Sequence, residues 1–501
     1  MLCFPKSLRW TLMVSTAASL AACEVGPNYH RSPVETPPAF KEAAGWTPAQ
    51  PSDGVDRGDW WTVFNDPLLN QLEAQVAVSN QNLKAALEAY IQAHDVVAQD
   101  RAALFPTLDL TGSADLSKGS SGRGTVTGTG TGLGTGVGSG STGVGTTVVN
   151  SNNRPVSEFQ VQLGTSWAPD VWGKIRREVE GAKANAQASY ADLANARLSA
   201  QSTLAADYLE LRLLDAQKGV LTSTAAAYTK ALTITRNQYN AGTVSKGNML
   251  QAETTLLNAQ ASLVDLDTQR TASEHAIAVL IGKPPADLTI AADPTWKPNL
   301  PQTPVALPST LLERRPDIAA AERSVAAANA QIGVQVAGFY PNLTLSGSGG
   351  LASTSIGQLF NASSELWSIG ADVAQTVFNG GLTKAQVRQA KAAHDQAIAQ
   401  YRQAVLPAFQ QVEDDLSASR VLQTEEPLRQ DASNAADQEE TIALNEYRAG
   451  TVDYTTVVTA QAAALSARQT LLTLQVQRMT TEVSLIEALG GGWSATQLPK
   501  S

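Results

Sequence analysis

Phe105-Pro106-Thr107-Leu108-Asp109-Leu110-Thr111-Gly112-Ser113 returns 235 residues later as Tyr340-Pro341-Asn342-Leu343-Thr344-Leu345-Ser346-Gly347-Ser348. In each copy an aromatic–proline pair gives way to alternating apolar and polar residues, the pattern of a β-strand with two unlike faces. A second repeat lies further along. Tyr239-Asn240-Ala241-Gly242-Thr243-Val244 returns 208 residues later as Tyr447-Arg448-Ala449-Gly450-Thr451-Val452. The two offsets differ by 27 residues, and the stretch from Gly119 to Gly145, with twelve glycines among Thr and Ser, accounts for the difference. Such a tract buries too little apolar surface to order itself and reads as a flexible loop. With it set aside, the chain is two copies of one plan.

Each copy carries two alternating segments, expected at about 104–118 and 156–168, then at about 340–352 and 365–377. Leu108, Leu110, Ala114 and Leu116 alternate with Asp109, Thr111, Ser113, Asp115 and Ser117. Phe159, Val161, Leu163 and Trp167 alternate with Glu158, Gln160, Gln162 and Ser166. In the second copy Leu343 and Leu345 face Asn342, Thr344 and Ser346, and Trp367, Ile369, Ala371 and Val373 face Ser368, Gly370 and Asp372. This suits an outer-membrane barrel, apolar side to lipid and polar side to a water-filled lumen. A soluble, half-buried sheet shows the same alternation. On the barrel reading Asp109, Asp115, Glu158 and Asp372 face the lumen, either to favour cations or simply to keep the bore wet. Four strands cannot close a barrel, since single-chain bacterial barrels start at eight, so several chains must then share one.

Long helical tracts separate the strand pairs. Gly173 to Gly242 and Gly381 to Gly450 are each 69 residues apart, and the first tract has no internal Pro. Helices are expected over 174–240 and 382–448, about 100 Å long at 1.5 Å per residue. Pro407 and Pro427 should kink the second or free a carbonyl in it. Shorter helices return over 246–281 and 454–489. In the last, Val458, Ala462, Leu465, Gln469, Leu472, Val476, Met479, Val483 and Ile486 hold a 4-3 spacing, a heptad seam. Upstream pieces at Leu83–Ala103 and Ile318–Gly338 align without gaps and run into the strands. Stacked end to end, an upstream piece and a returning helix reach roughly 85 Å, close to the long helix beside them.

The N-terminus reads as an address. Lys6 and Arg9 precede an apolar stretch too short to span a bilayer, as in a signal peptide over 1–22. It ends Leu20-Ala21-Ala22-Cys23, which resembles a bacterial lipobox whose Cys23 is lipidated. Glu24 is not the Asp associated with inner-membrane retention. Beyond Cys23 no run of about 18 apolar residues occurs, so any membrane crossing must be by strands. Removing Lys6 and Arg9 takes the net charge from −10 to −12.

Composition narrows the function. Only 16% of residues are charged and 78 are Ala. A net charge of −10 opposes a nucleic-acid partner. His30, His94, His275 and His394 are scattered and the two cysteines cannot build a thiolate zinc cage, so no metal site is expected. Asp207, Glu210 and Glu413 are candidate paired carboxylates, but charges on long helices are usually solvated faces or ion pairs, and no nucleophile motif accompanies them. The expectation is a non-enzyme.

These residues resemble the TolC-like outer-membrane efflux proteins, in the NodT/OprM-like lipoprotein branch, over essentially the whole mature chain. The carriers are Cys23-Glu24-Val25-Gly26-Pro27-Asn28-Tyr29, Trp60-Trp61 with Phe64-Asn65-Asp66-Pro67-Leu68-Leu69, Leu311-Leu312-Glu313-Arg314-Arg315-Pro316-Asp317-Ile318 with Ala321-Glu322, and both Tyr-x-Ala-Gly-Thr-Val turns. The resemblance implies a mainly α fold with a membrane β-barrel. It is a duplicated repeat of long coiled-coil helices and β-hairpins, assembled as a homotrimer with a twelve-stranded barrel continued by an α-helical barrel. Residues 67–282 and 310–489 would be the two repeats. Segments 23–66, 283–309 and 490–501 would form an equatorial collar. It implies an exit duct for a tripartite pump, with a periplasmic adaptor (membrane fusion) protein and an inner-membrane transporter as partners, outer-membrane lipid around it, and no cofactor beyond the lipid on Cys23. Gly242, Thr243, Val244, Gly450, Thr451 and Val452 would lie at the periplasmic tip where the adaptor docks. Relatives often close the aperture with a carboxylate and an Arg. Here Thr459 and Ala462 stand at those places, which leaves Tyr447, Asp453, Thr459 or coiled-coil packing as means of closure. Type I secretion or metal efflux remain alternative systems. A lipid-anchored periplasmic scaffold is a further alternative, one that leaves the four strands unused.

Overall fold

The computed structural model describes residues 24–34, 36–37, 39–42, 59–118, 155–299 and 314–499. The signal peptide, Cys23 and the Gly-rich segment 119–154 lie outside the described residues, as do residues 300–313, which include part of the collar linker. The helices are α1 (Pro67–Ser79), α2 (Gln81–Ala102), α3 (Lys174–Asn240), α4 (Lys246–Leu280), α5 (Pro316–Ala337), α6 (Leu382–Ala449) and α7 (Tyr454–Ala488). The strands are β1 (Thr107–Ser117), β2 (Val156–Trp167), β3 (Asn342–Ser353) and β4 (Glu365–Ala374). Two compact units result. One holds the four strands and the chain next to them, over 100–176 and 336–383; the other holds the helices over 26–99, 177–335 and 384–499. The units therefore cut across both sequence repeats.

In the strand unit the order is β1-β2-β3-β4, all antiparallel, with β1 and β4 at free edges. β1 starts at Thr107 rather than near 104, because residues 103–105 form turn hydrogen bonds back to Asp100–Ala102 and Pro106 has no N–H to give a ladder. The Trp167 indole donates to the Leu104 carbonyl at 2.9 Å, and the Gln375 amide donates to the Phe339 carbonyl at 2.9 Å. Trp167 and Gln375 are 208 residues apart and the two carbonyls 235, so one bond serves both repeats with different donors.

In the helical unit, α3 and α6 are single helices of 67 and 68 residues. Pro407 and Pro427 lie inside α6, which continues through both. Both prolines are exposed, as are Gln403 and Gln423, whose carbonyls lose their donors, so water satisfies what the ring removes. The two helix hairpins share one apolar core at their turn end, drawn from all four helices: Tyr228, Ala252, Tyr447 and Val457 are members. The α7 seam holds in its second half, where Val476, Met479 and Val483 are buried. Towards the turn it moves one residue back. Tyr454, Val457, Gln461 and Ala464 are buried while Ala462 is exposed, because α7 here packs into the core of both hairpins rather than along one neighbour.

The stacked short helices meet at a joint built twice. In the first repeat α4 ends at Leu280, whose carbonyl accepts from the Asn80 side chain at 2.8 Å, and Asn80 Oδ1 also caps the start of α2. In the second, α7 ends at Ala488, whose carbonyl accepts from Arg315, and Arg315 pairs with Asp317 at the start of α5. Gly282 and Gly490 turn the chain at these joints with φ of 69° and 93°. A Cβ on either would lie 2.1 Å from the carbonyl oxygen of Ser79 or Arg314.

The collar segments pack on this joint. Asp66 caps α1 by accepting from Leu68 and Leu69 N–H and takes a 2.6 Å bond from Tyr208, while Trp60, Trp61 and Phe64 fill the core behind it. The segment after Gly282 is clasped by buried ions. Asp215, fully buried, accepts from Arg212 at 2.9 Å and Arg270 at 2.7 Å, and the two arginines donate onward to the carbonyls of Ala291 and Ile290. Such paired, fully bonded ions fix geometry more than they add stability. Residues 26–42 tie to α3, α5 and α6: Arg177 donates to Asn28, Tyr29 donates to Glu322, and the Glu413 carboxylate accepts the N–H of Lys41 and Glu42. Glu413 is thus a backbone acceptor, set apart from the Asp207–Glu210 pair.

Two outcomes follow from this packing. Gly490→Ala should lower the melting midpoint more than Gly242→Ala, because both lose a left-handed turn residue, at ~1 kcal/mol, but only Gly490 abuts a carbonyl oxygen. Circular dichroism melts read this, and equal shifts would contradict the joint. Glu73 on α1 is fully buried, both its oxygens lack hydrogen-bond partners, and burial pushes its pKa up to about 9. Since the unfolded value is about 4.3, the neutral acid's contribution is complete below that pH and is lost as pH rises towards the folded value. Denaturation midpoints should therefore fall between pH 5 and pH 9, with a shallower fall in Glu73→Gln; identical slopes would refute it.

Candidate functional site: the strand faces and the helix turns

The register assigns the faces. Directly opposed residues share a side, and Asp115 opposes Glu158, Asp109 opposes Gly164, and Thr344 opposes Asp372. Carried across β2 and β3, the pairing puts all four acidic residues on one face, with Thr111, Ser113, Gln160, Gln162, Ser346, Ser348 and Ser368. The other face carries Leu108, Leu110, Val161, Leu163, Leu345, Trp367 and Ile369. That face is bare in the single chain: Trp367 is 78% and Ile369 83% exposed. An exposed sheet of large apolar side chains, backed by a polar face, is the arrangement a membrane barrel wall requires. A strand of 11 residues tilted by about 40° rises roughly 28 Å, enough to cross the hydrocarbon layer. At the end of the sheet carrying Trp167 and Asn342, Trp172 stacks on Tyr340 at 4.9 Å and donates to the Pro341 carbonyl, an amphipathic pair of the kind found at membrane interfaces.

The turns between paired helices are equally explicit. Gly242 and Gly450 have φ of 72° and 75°, and nothing lies within 4 Å of where a Cβ would stand. Thr243 N–H donates to the Gln238 carbonyl and Gly242 N–H to Tyr239; Thr451 and Gly450 repeat this with Glu446 and Tyr447. This is the Schellman helix end, which needs a left-handed residue at the glycine. Thr243 and Thr451 are exposed, and Val244 and Val452 half-buried.

Of the aperture candidates, Asp453 and Thr459 are exposed, and Thr459 spends its hydroxyl proton on the Thr455 carbonyl. Tyr447 differs from the expectation. It is buried, donating to Gln238 Oε1 at 2.6 Å, 3.2 Å from the Thr235 hydroxyl and edge-on to Tyr454 at 5.2 Å. It fastens α6 to α3 within one chain. Burial also pushes the Tyr454 phenol up to about 12. No signal in the sequence separates a core tyrosine from a pore tyrosine at this position. Among the described residues there is no group of three His, Cys, Asp or Glu side chains able to hold a metal, and no helix is long and apolar enough to cross a membrane.

Comparison with known proteins agrees with this geometry. Residues 72–283 and 307–491 match the outer membrane efflux protein family, and the chain belongs to it. It is 29% identical over 494 residues to the probable efflux pump outer membrane protein TtgC of Pseudomonas putida, covering 95% of this chain and 94% of that one. It is 27% identical over 489 residues to the pyoverdine export outer membrane protein OpmQ of Pseudomonas aeruginosa, covering 98% of each. Among solved structures, the outer-membrane channel OprN superposes with a TM-score of 0.82 at 28% identity, over 94% of this chain and all of that one. The fold is TolC-like, and the protein is an outer-membrane efflux channel.

Tyr447→Phe should loosen the turn end without touching the sheet. Losing the hydroxyl removes about 1 kcal/mol, which hydrogen exchange reads as roughly fivefold faster exchange of amides in 235–260 and 440–460. Unchanged rates there would show that the clamp carries no stability.

Proposed function

We propose that three copies of this chain close one twelve-stranded barrel, β4 of each pairing with β1 of the next, and form the exit duct of a tripartite pump. The observation that carries this is the open sheet: two unpaired edge strands joined to one bare apolar face. In hydrocarbon such edges must be paired, and a head-to-tail interface that closes on itself pairs every one. The helical unit supports the same assembly. Leu250, Leu257 and Val264 on α4 stay exposed at seven-residue steps, and Val421, Leu428 and Ile442 on α6 at steps of seven and fourteen. These are heptad stripes without partners inside one chain.

In this reading the turns Gly242-Thr243-Val244 and Gly450-Thr451-Val452 are the periplasmic tip that meets an adaptor, and an inner-membrane transporter supplies the cargo. Cys23 carries the lipid anchor, and residues 26–42 tie that anchor to the helices. The cargo is small molecules in general. TtgC is named for an efflux pump and OpmQ for pyoverdine export, at nearly equal identity to this chain, so the choice of cargo belongs to the transporter rather than the duct. No bond is made or broken, and no cofactor beyond the lipid is needed.

The duct is tested in planar bilayers. Asp115 and Glu158 oppose each other directly, a pairing that repels in a dry sheet and is tolerated where water and counter-ions reach it. With Asp109 and Asp372 they make a negative bore. Purified protein should form channels whose reversal potential in a salt gradient shows cation preference, and Asp115→Asn with Glu158→Gln should reduce it. Anion preference would overturn the lumen assignment, and failure to form channels at all would favour a lipid-anchored scaffold.

A further inference from the structure

The helical unit holds a cavity of about 450 Å³ that the duct does not use, within the size range of small-molecule pockets. Its walls are α2, α3 and the tail after Gly490. Leu83, Leu87 and Leu193 supply an apolar lining. The polar lining is one-sided. Lys84, Arg197, Gln201 and Trp493 contribute, and no carboxylate does, although the chain has 46 Asp and Glu. Arg197 and Gln201 stand one turn apart on α3 and so present neighbouring donors. Among the described residues neither Lys84 nor Arg197 is held in an ion pair. Gln201 and Trp493 are 3% and 9% exposed, yet Gln201 Nε2 and Trp493 Nε1 have no hydrogen-bond acceptor. Buried N–H groups without acceptors are costly, and two in the wall of one cavity, beside two unpaired cations, describe a missing anionic group.

We propose that this cavity binds an amphipathic organic anion: a carboxylate head against Arg197, Gln201, Lys84 and Trp493, with an apolar body along the leucines. The chain's own tail is not the guest. It forms one wall at Gly491, against Leu198, then leaves; the Pro499 carbonyl accepts from Gln187, eleven residues back along α3 and about 16 Å away. The head must be charged to satisfy two cations, and the body must be apolar to displace water from leucine. A medium-chain monocarboxylate meets both conditions.

Equilibrium dialysis of labelled decanoate against the full-length protein in lipid nanodiscs, with empty nanodiscs as blank, tests this. One saturable site per chain is expected. Arg197→Gln should weaken it at least tenfold. Trp493→Phe keeps the wall and deletes only the N–H, and should weaken it several-fold. Decanol, the same body without the charge, should show no saturable site. Absence of a decanoate site, equal binding of decanol, or full affinity in both variants would each overturn the proposal. A neighbouring chain filling the cavity would register as the first of these.

Discussion

A peptide group in hydrocarbon has no solvent partner, so every N–H and C=O in a membrane wall must be bonded within protein. This chain offers a sheet that meets the condition along its three internal seams and fails it along two outer edges. Nothing else in the strand unit compensates. β1 and β4 carry no proline within their spans, and Asp109 and Asp115, the charges on β1, share the polar face with Asp372 on β4 instead of blunting an edge. The edges are therefore interfaces, and closure by further copies is what turns two hairpins into a wall. Once the wall closes, the register leaves no freedom about its sides. A slip of one residue would send Asp115 and Glu158 to lipid and Leu110 and Leu163 to water.

The helices obey a constraint of length. A 67-residue helix can run beside two shorter ones of 22 and 35 residues only if those two meet end on without a gap. The joint achieves this by letting a glycine carry the turn where the next backbone comes too close for a side chain. A side-chain donor then collects the carbonyl that the helix end leaves open. The collar adds a second fastening, since Asp215, Arg212 and Arg270 hold the linker by its backbone rather than by its side chains. Linker composition can then vary while its path stays fixed.

Much of this was legible in the sequence, and the reason is local. Pro106 and Pro341 mark strand entry, Gly242 and Gly450 mark helix ends, and alternation names the faces, because each is set by the residue's own backbone preference or by period alone. What was not legible depends on contacts between distant segments. Tyr447 reads as a pore residue until Gln238 and Thr235, more than 200 residues earlier, are brought against it. The shift of the α7 seam onto Val457 and Gln461 needs the second hairpin. Glu73 sits in α1 with a charged residue's name and a core residue's surroundings, and no periodic pattern distinguishes the two. The cavity is assembled from three segments that share no motif.

The two repeats show which of these features the architecture demands. Asn80 and Arg315 do one job at equivalent joints with unrelated chemistry, and Trp167 and Gln375 do another at the base of the hairpins. Ser245 caps α4 with its side chain, while Asp453, at the same place before α7, makes no such bond. What survives duplication unchanged is spacing: 208 residues between the turns, between Leu280 and Ala488, and between the glycines of the two joints. A duct wall is fixed by where its backbone turns and where its helices stop. Side chains that merely fasten those points are interchangeable, provided a donor reaches the open carbonyl. Relatives near 29% identity can therefore share a fold over the whole chain, because the conserved quantity is a length rather than a residue.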